Sequence, residues 1–480
     1  MNEDLDVLFT RFRWPVAITR WWAMQELSVL LLSAELHEAV SQRLLTELGR
    51  CCLEAEVVEI VTIFWMAAKL GCAPPPNLTS TLGHPSLATA LLLHDMKLDQ
   101  SVEPNPPLEM VSRNFTPPTT FRHVQGVEVP RYFLSRLTKL QHESGLPFIS
   151  QCAFEWAKSE RTFPTAPLQG DIAHFVRSFG EGFTGGFASR AMLRMVTAYQ
   201  RTLDVARTLW GLPDELAWRF AEDALPLDPT LAFLRPQRPS WLPAQGGMAT
   251  ADELSLAEEI RRVLDSLSAT QPKSILLALE SPVHVDSQTI TVLSLVRWRR
   301  WNANPVDAKG LASRFYARQE RGEYGALEDS EWGLATTVSP TTLDTALDPE
   351  ADAAPMAVAY APNRIGYLQR DLFPERLYFP MVTGGDHPLR IVPSGGELAI
   401  SSESDVIATA CYWNAGWGAV RPYGMSGLHG TTLIAEAFQH AQTEAPPTGY
   451  FYLWKVTRWR RSSDHGPFSQ DEPVYGATSA

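Results

Sequence analysis

The sequence lacks most of the short motifs that would assign it to a chemical class. There is no Cys-x-x-Cys, and the five cysteines, at 51, 52, 72, 152 and 411, follow no framework spacing. That excludes a sequence-encoded zinc knuckle, a dithiol redox pair and a disulfide scaffold, and it fits reduced thiols in a cytosolic protein. No Gly-x-x-x-x-Gly-Lys-Ser/Thr loop and no His-Glu-x-x-His pair occurs. No apolar run reaches the roughly 20 residues needed to span a bilayer. The longest stretch, Val57–Ala68, is interrupted by Glu59 and Thr62, and the acidic start, Met1–Asp6, carries no apolar signal segment. Basic charge is also short: 41 Lys and Arg against 54 Asp and Glu leave a net charge of -13. A surface that coats nucleic acid all over is excluded, whereas a local basic groove is not. On these grounds no cofactor, metal site or membrane contact is expected.

What is present is a globular composition in two halves. At 480 residues, with 45% hydrophobic and 20% charged, the chain is too long for one ordinary core and too apolar for disorder. Trp21, Met24, Leu27 and Leu31 recur at spacings of three and four. So do Val40, Leu44 and Leu48, and then Val57, Ile60, Val61, Phe64, Trp65 and Ala68. These are helix-face spacings. Phe187–Trp210 predicts a further strong helix through Met192, Met195, Tyr199, Leu203 and Ala206. The first three helices have short connections and should be neighbours. Their stacking resembles the HEAT-type solenoid plan, an architectural resemblance over the first 70 residues without a repeating consensus.

After Gln245–Met248 the period changes. Short apolar runs at Ser274–Leu279, Thr289–Val296, Ala357–Tyr360, Leu377–Val382, Leu389–Val392, Val406–Tyr412 and Tyr450–Trp459 predict strands. Ser394-Gly395-Gly396 suits a tight turn between two of them. The expected fold class is α+β: an all-helical, loosely solenoid-like body over 1–245, a mixed or mainly β module over 246–461, and a loose tail over 462–480.

Two surfaces carry unusual chemistry. Arg-Trp-Arg-Arg occurs twice, as Arg297, Trp298, Arg299 and Arg300, followed by Trp301, and as Arg458, Trp459, Arg460 and Arg461. Guanidinium forks bind phosphate or carboxylate, and indoles stack on bases or cations. Each motif ends a predicted strand. If those strands are neighbours, one surface would hold both, suiting single-stranded nucleic acid or an acidic protein partner. The second surface is Cys411–Thr432, where Trp413, Asn414, Trp417, Arg421, Tyr423 and His429 crowd a glycine-rich stretch between a strand and an expected helix. Ligand pockets use such apolar walls with a few oriented polar groups. His94-Asp95 resembles half of a metal-dependent phosphohydrolase site, and Gly180–Gly185 matches Gly-x-Gly-x-x-Gly in a helical context that lacks a βαβ unit. The leading expectation is a non-catalytic interaction or scaffold subunit of a cytosolic, bacterial multi-protein system with protein partners. The alternatives are a nucleic-acid-binding subunit using the Arg-Trp surface, and an enzyme with its site at 411–432.

Overall fold

The computed structural model describes residues 2–14, 16–83, 85–98, 107–121, 131–162, 190–229, 231–244, 253–302, 307–320, 337–338, 346–360, 366–368, 377–381, 388–414, 428–438, 447–463 and 468–480. The fold is α+β, helical in its N-terminal part and antiparallel β in its C-terminal part. Two compact units divide the chain: Met1–Ala232 with Arg364–Asp371, and Phe233–Asn363 with Leu372–Ala480. A single cut at residue 245 cannot describe this, because a short segment from far along the chain returns to the helical unit.

The helical unit holds α1 (Asn2–Phe12), α2 (Ala17–Leu30), α3 (His37–Leu48), α4 (Glu54–Lys69), α5 (Leu78–Thr81), α6 (Leu87–Asp95), α7 (Arg131–Ser144), α8 (Phe148–Thr162), α9 (Arg190–Trp210) and α10 (Asp214–Ala221). The helices expected from Trp21, Val40 and Val57 onward are α2, α3 and α4, and the expected apolar faces are buried. Helix α9 is buried on every side from Met192 to Ala206. A helix without a solvent face is a core helix, and α9 packs on α4, α6, α7, α8 and α10. The contacts are therefore not those of a stack in which each helix meets only its sequence neighbours.

The returning segment Gly366–Leu368 lies against Leu225–Leu227. Leu368 donates its N–H to the Pro226 carbonyl at 3.0 Å. A Cβ on Gly366 would stand 2.3 Å from both the Leu227 Cα and the Pro226 oxygen, so only glycine permits this approach. The Tyr367 hydroxyl donates to Glu59 Oε1 at 2.8 Å, and Glu59 is ion-paired with Arg20. Glu59 and Arg20 are both buried.

The β unit contains β1 (Ser274–Val285), β2 (Thr289–Arg300), β3 (Thr337–Val338), β4 (Ala353–Pro355), β5 (Ala357–Tyr360), β6 (Leu377–Pro380), β7 (Leu389–Ser394), β8 (Glu397–Ser402), β9 (Asp405–Asn414), β10 (Leu428–Ala435), β11 (Gly449–Arg460), β12 (Ser469–Gln470) and β13 (Val474–Ser479). The main sheet runs β12-β11-β2-β1-β10-β9-β8-β7-β3, with β13 also beside β11 and β4 beside β2. Strands β5 and β6 pair separately. Helix α11 (Glu253–Thr270) covers one face through Leu256, Ile260, Val263 and Leu267, against Leu279, Leu293, Leu295, Tyr452 and Trp454. On the other face lies α12 (Ala308–Glu320), where Phe315 meets Trp298 edge-on and the Tyr316 hydroxyl donates to the Ser294 and Leu453 carbonyls.

All seven expected strands are present, and Gly395 takes a positive φ in the β7–β8 turn. Two expectations fail. The helix expected at the end of the Cys411–Thr432 stretch is strand β10, since β1 and β9 hydrogen-bond it on both edges. The tail expected to be loose forms β12 and β13, and β13 pairs with Phe451–Val456. Gly476 allows that strand to cross Trp454, whose ring carbon would lie 2.1 Å from any added Cβ.

Removing Glu59 as Glu59→Ala leaves the Arg20 guanidinium buried without its carboxylate. We expect a stability loss of about 3–5 kcal/mol, read as a lower urea midpoint, with about 1 kcal/mol for Tyr367→Phe. A Glu59→Ala midpoint equal to wild type would show that the pair contributes nothing.

Candidate anion-binding site at one end of the β2–β11 pair

Strands β2 and β11 are neighbours, as the site hypothesis requires, but they run antiparallel. Arg297, Trp298, Arg299 and Arg300 stand opposite Tyr452, Phe451, Tyr450 and Gly449. Arg458, Trp459 and Arg460 stand opposite Thr291, Ile290 and Thr289. Arg299 and Thr291 are eight residues apart on β2, or roughly 27 Å at about 3.4 Å per residue. The two motifs are therefore held at opposite ends of the strand pair and do not share a surface. This corrects the expectation of one joint Arg-Trp face.

The second motif is used internally. Arg460 pairs with Asp471, with Nε 2.9 Å from Oδ2 and Nη2 2.9 Å from Oδ1. The Arg461 guanidinium lies over the Phe468 ring and donates to the Ser287 carbonyl. Asp471 donates its N–H to the Arg458 carbonyl at 2.8 Å. Trp459 packs with Ile290, Val292, Val285 and Phe468. This end clamps the C-terminal strands.

The first motif is different. Trp298 is buried between Phe315 and Phe451 and serves as a core anchor. Strand alternation puts Arg297 and Arg299 on the opposite face from Trp298. The Arg297 guanidinium stacks 4.7 Å from the centre of the Tyr450 ring and 5.5 Å from that of Tyr452, and its Nη1 donates to the Tyr452 hydroxyl at 3.0 Å. Arg299 is only 1% exposed, and its Nε and Nη2 have no hydrogen-bond acceptor. Burial holds the Arg299 guanidinium below its ordinary range; Tyr450 opposes this and Arg297 adds to it. Arg300 and Trp301 are half-buried. Among the described residues, no carboxylate pairs with Arg297, Arg299 or Arg300.

The possible ligand pocket is only partly open to description. Trp417, Arg421 and Tyr423 lie outside the described residues, and Asn414 is described only as the strand partner of Leu428. Trp413 and His429 are brought together as cross-strand partners with ring centres 6.5 Å apart. Both are buried, and Trp413 belongs to the core under α11. Burial lowers the His429 pKa to about 3, so the imidazole is neutral and a weak base at pH 7. Of the weaker motifs, Gly180–Gly185 lies outside the described residues. Asp95 is engaged by Lys69 at 2.6 Å and by the Trp65 indole N–H, and the His94 ring stands against Trp218. Among the described residues no group of three or more His, Cys, Asp or Glu side chains is placed to hold a metal ion, and no helix is long and apolar enough to cross a membrane.

Sequence reasoning missed a buried ionic cluster in the helical unit. Arg201 on α9 donates to Glu155 on α8 and to Glu54 on α4, each at 2.8 Å. Asp204, one turn on, is buried beside them. One guanidinium cannot neutralise three buried carboxylates. Burial raises Glu54 to about 7 against the pull of Arg201, and burial with the Glu54 charge raises Asp204 to about 8. The sequence signal was partial: Glu54, Arg201 and Asp204 are charged residues on two helices with strong apolar patterning, α4 and α9, which carry other polar residues as well.

No protein-family model matches the chain, and no curated protein matches it in sequence.

Glu54 and Asp204 bind their protons more tightly folded than unfolded. Their contribution to stability is complete below about pH 4 and is lost as pH rises through their folded values, near 7 and 8. The urea midpoint should fall between about pH 5.5 and about pH 8.5, and Asp204→Asn should flatten the fall. An equally steep fall in the variant would rule out Asp204 as a source.

Proposed function

We propose that the protein is a non-catalytic binding subunit that engages an anionic partner through the Arg297–Arg300 end of the β2–β11 pair, and that single-stranded nucleic acid is the partner that fits. One observation carries this reading: three guanidinium groups fall within four residues, and no described carboxylate pairs with any of them. Elsewhere Arg20, Arg201 and Arg460 are each met by a carboxylate. The half-buried Tyr450 and Trp301 flank the cluster. Phosphates suit the guanidinium forks whatever the base sequence. The helical unit would carry contacts to other subunits.

A second reading, an acidic protein segment, is favoured by the other end of the strand pair. There the chain's own Asp471 occupies the Arg460 fork. That is the chemistry by which an acidic peptide would be held at Arg297–Arg300.

Fluorescence anisotropy with labelled single-stranded DNA, RNA and duplex DNA at two salt concentrations separates these. We expect single strands to bind with an affinity that falls steeply with salt. Arg297→Ala with Arg300→Ala should weaken binding by roughly tenfold or more, since each removes a phosphate contact. Arg461→Ala, at the internally used end, should bind like wild type. Failure of all three nucleic acids to bind would remove this reading and leave the acidic segment as the partner to seek.

A further inference from the structure

Strand β13 is a sheet edge without the devices that usually close one. It pairs with β11 along six residues without a bulge, and among the described residues no strand lies on its other side. Val474, Ala477 and Ser479 are exposed. Strand β12, on the same side of β11, is only two residues long and is followed directly by Asp471 and Glu472. Shortness and charge of that kind protect an edge from further pairing. Val474–Ala480 reads Val-Tyr-Gly-Ala-Thr-Ser-Ala, with no charged residue and no proline. An uncharged edge of this length is a template for one more strand.

The parity of the β11–β13 pair fixes which backbone groups that edge offers. Ala480 donates its N–H to the Tyr450 carbonyl at 3.4 Å. In an antiparallel pair, opposed residues alternate between exchanging both hydrogen bonds and exchanging none. Counting back by two from Ala480, the bonded residues are Thr478, opposite Tyr452, and Gly476, opposite Trp454. Ala477 and Ser479 therefore direct their N–H and C=O groups away from β11. Each offers one donor and one acceptor, so an antiparallel copy of the same strand meets them with the matching set.

Charge selects a second copy as the added strand. Each copy carries a net charge of -13, so two copies repel and meet most readily where local charge is absent. Pairing around a two-fold axis also sets each residue opposite itself or a near neighbour, and a charged residue there would face its own duplicate. Val474–Ala480 satisfies both conditions. We propose that β13 joins two copies of the chain, antiparallel and around a two-fold axis, so that the sheet of one continues into the sheet of the other. A contact through one strand edge is smaller than a standard interface, so the dimer is weak and depends on concentration.

Sedimentation equilibrium of the full chain over a roughly hundredfold range of concentration tests this. Wild type should rise from the mass of one chain towards that of two. Ala477→Pro removes an N–H that faces away from β11, a position at which sheet edges tolerate proline. It should melt like wild type at low concentration and self-associate roughly tenfold or more weakly, because each copy loses a bonding N–H. Thr478→Pro removes an N–H that bonds to β11, and should instead lower the melting temperature at low concentration. If these two effects are exchanged, Ala477 does not face outward and the proposal falls. Should Ala477→Pro fail to fold, Ala477→Lys keeps the N–H and sets an ammonium on each copy near the axis. It should dissociate the dimer at low salt and restore part of it at high salt. Wild type at the mass of one chain across the whole range would overturn the proposal. A dimer that the folded variants leave intact would overturn it too, since that dimer is made through another surface.

Discussion

The twelve-residue antiparallel register between β2 and β11 is the constraint on which the β unit depends. It pairs Thr289–Arg300 with Gly449–Arg460 without a break. Strand β2 lies inside the sheet, with α11 over one face and α12 over the other. A strand covered on both faces must be apolar on both faces, and Ile290–Val296 is buried throughout. The register also sets the fate of each arginine. Because side chains alternate with a period of two, a slip of one residue would move Trp298 off the α12 face and bring Arg297 and Arg299 onto it.

That constraint explains what could and could not be read from the amino-acid sequence. Strand existence was legible because Leu, Val and Ile runs of strand length alternate with turn residues. Helices α2, α3 and α4 were legible because their apolar spacing is regular. Pairing was not legible. Nothing local in Arg297–Arg300 says that its neighbour runs the other way, and a parallel neighbour would have merged the two motifs. Strand β13 was missed because Val474–Ser479 is polar and exposed on its outer side, as expected of a strand at an edge. It is held by its six-residue pairing with β11, in which Gly476 lies opposite Trp454. Strand β10 was misread because His429-Gly430-Thr431-Thr432 has weak patterning of its own; its place between β1 and β9 is a tertiary fact.

In the helical unit the missed feature has the same origin. Glu54, Glu155 and Arg201 are 46 to 147 residues apart in sequence, and no window of local periodicity contains them together. What could be seen was charged residues within helices of strong apolar patterning. Such residues are rarely buried unless paired, so each one implied a partner elsewhere in the chain. The same logic applies to Glu59, whose partners are Arg20 at one side and Tyr367 at the other. The return of Gly366–Leu368 to this unit is thereby tied to a buried charge and not only to apolar packing.

Set beside one another, the buried arginines make Arg299 an exception within its own protein. Arg20 is neutralised by Glu59. Arg201 is neutralised by Glu54 and Glu155. Arg194 lies 4.0 Å from the centre of the Trp156 ring, donates to the Trp156 carbonyl and to Ser159, and approaches Glu160 at 3.6 Å. In each case the desolvation cost is offset by carboxylates, carbonyls or an aromatic face already present in the fold. Arg299 receives no such compensation from a described residue, although the chain has 54 acidic residues to draw on. A lysine could have carried the charge to solvent on a flexible stem, and a leucine would have filled the space at lower cost. The fold therefore holds at Arg299 a planar fork that is desolvated and whose Nε and Nη2 donors meet no acceptor.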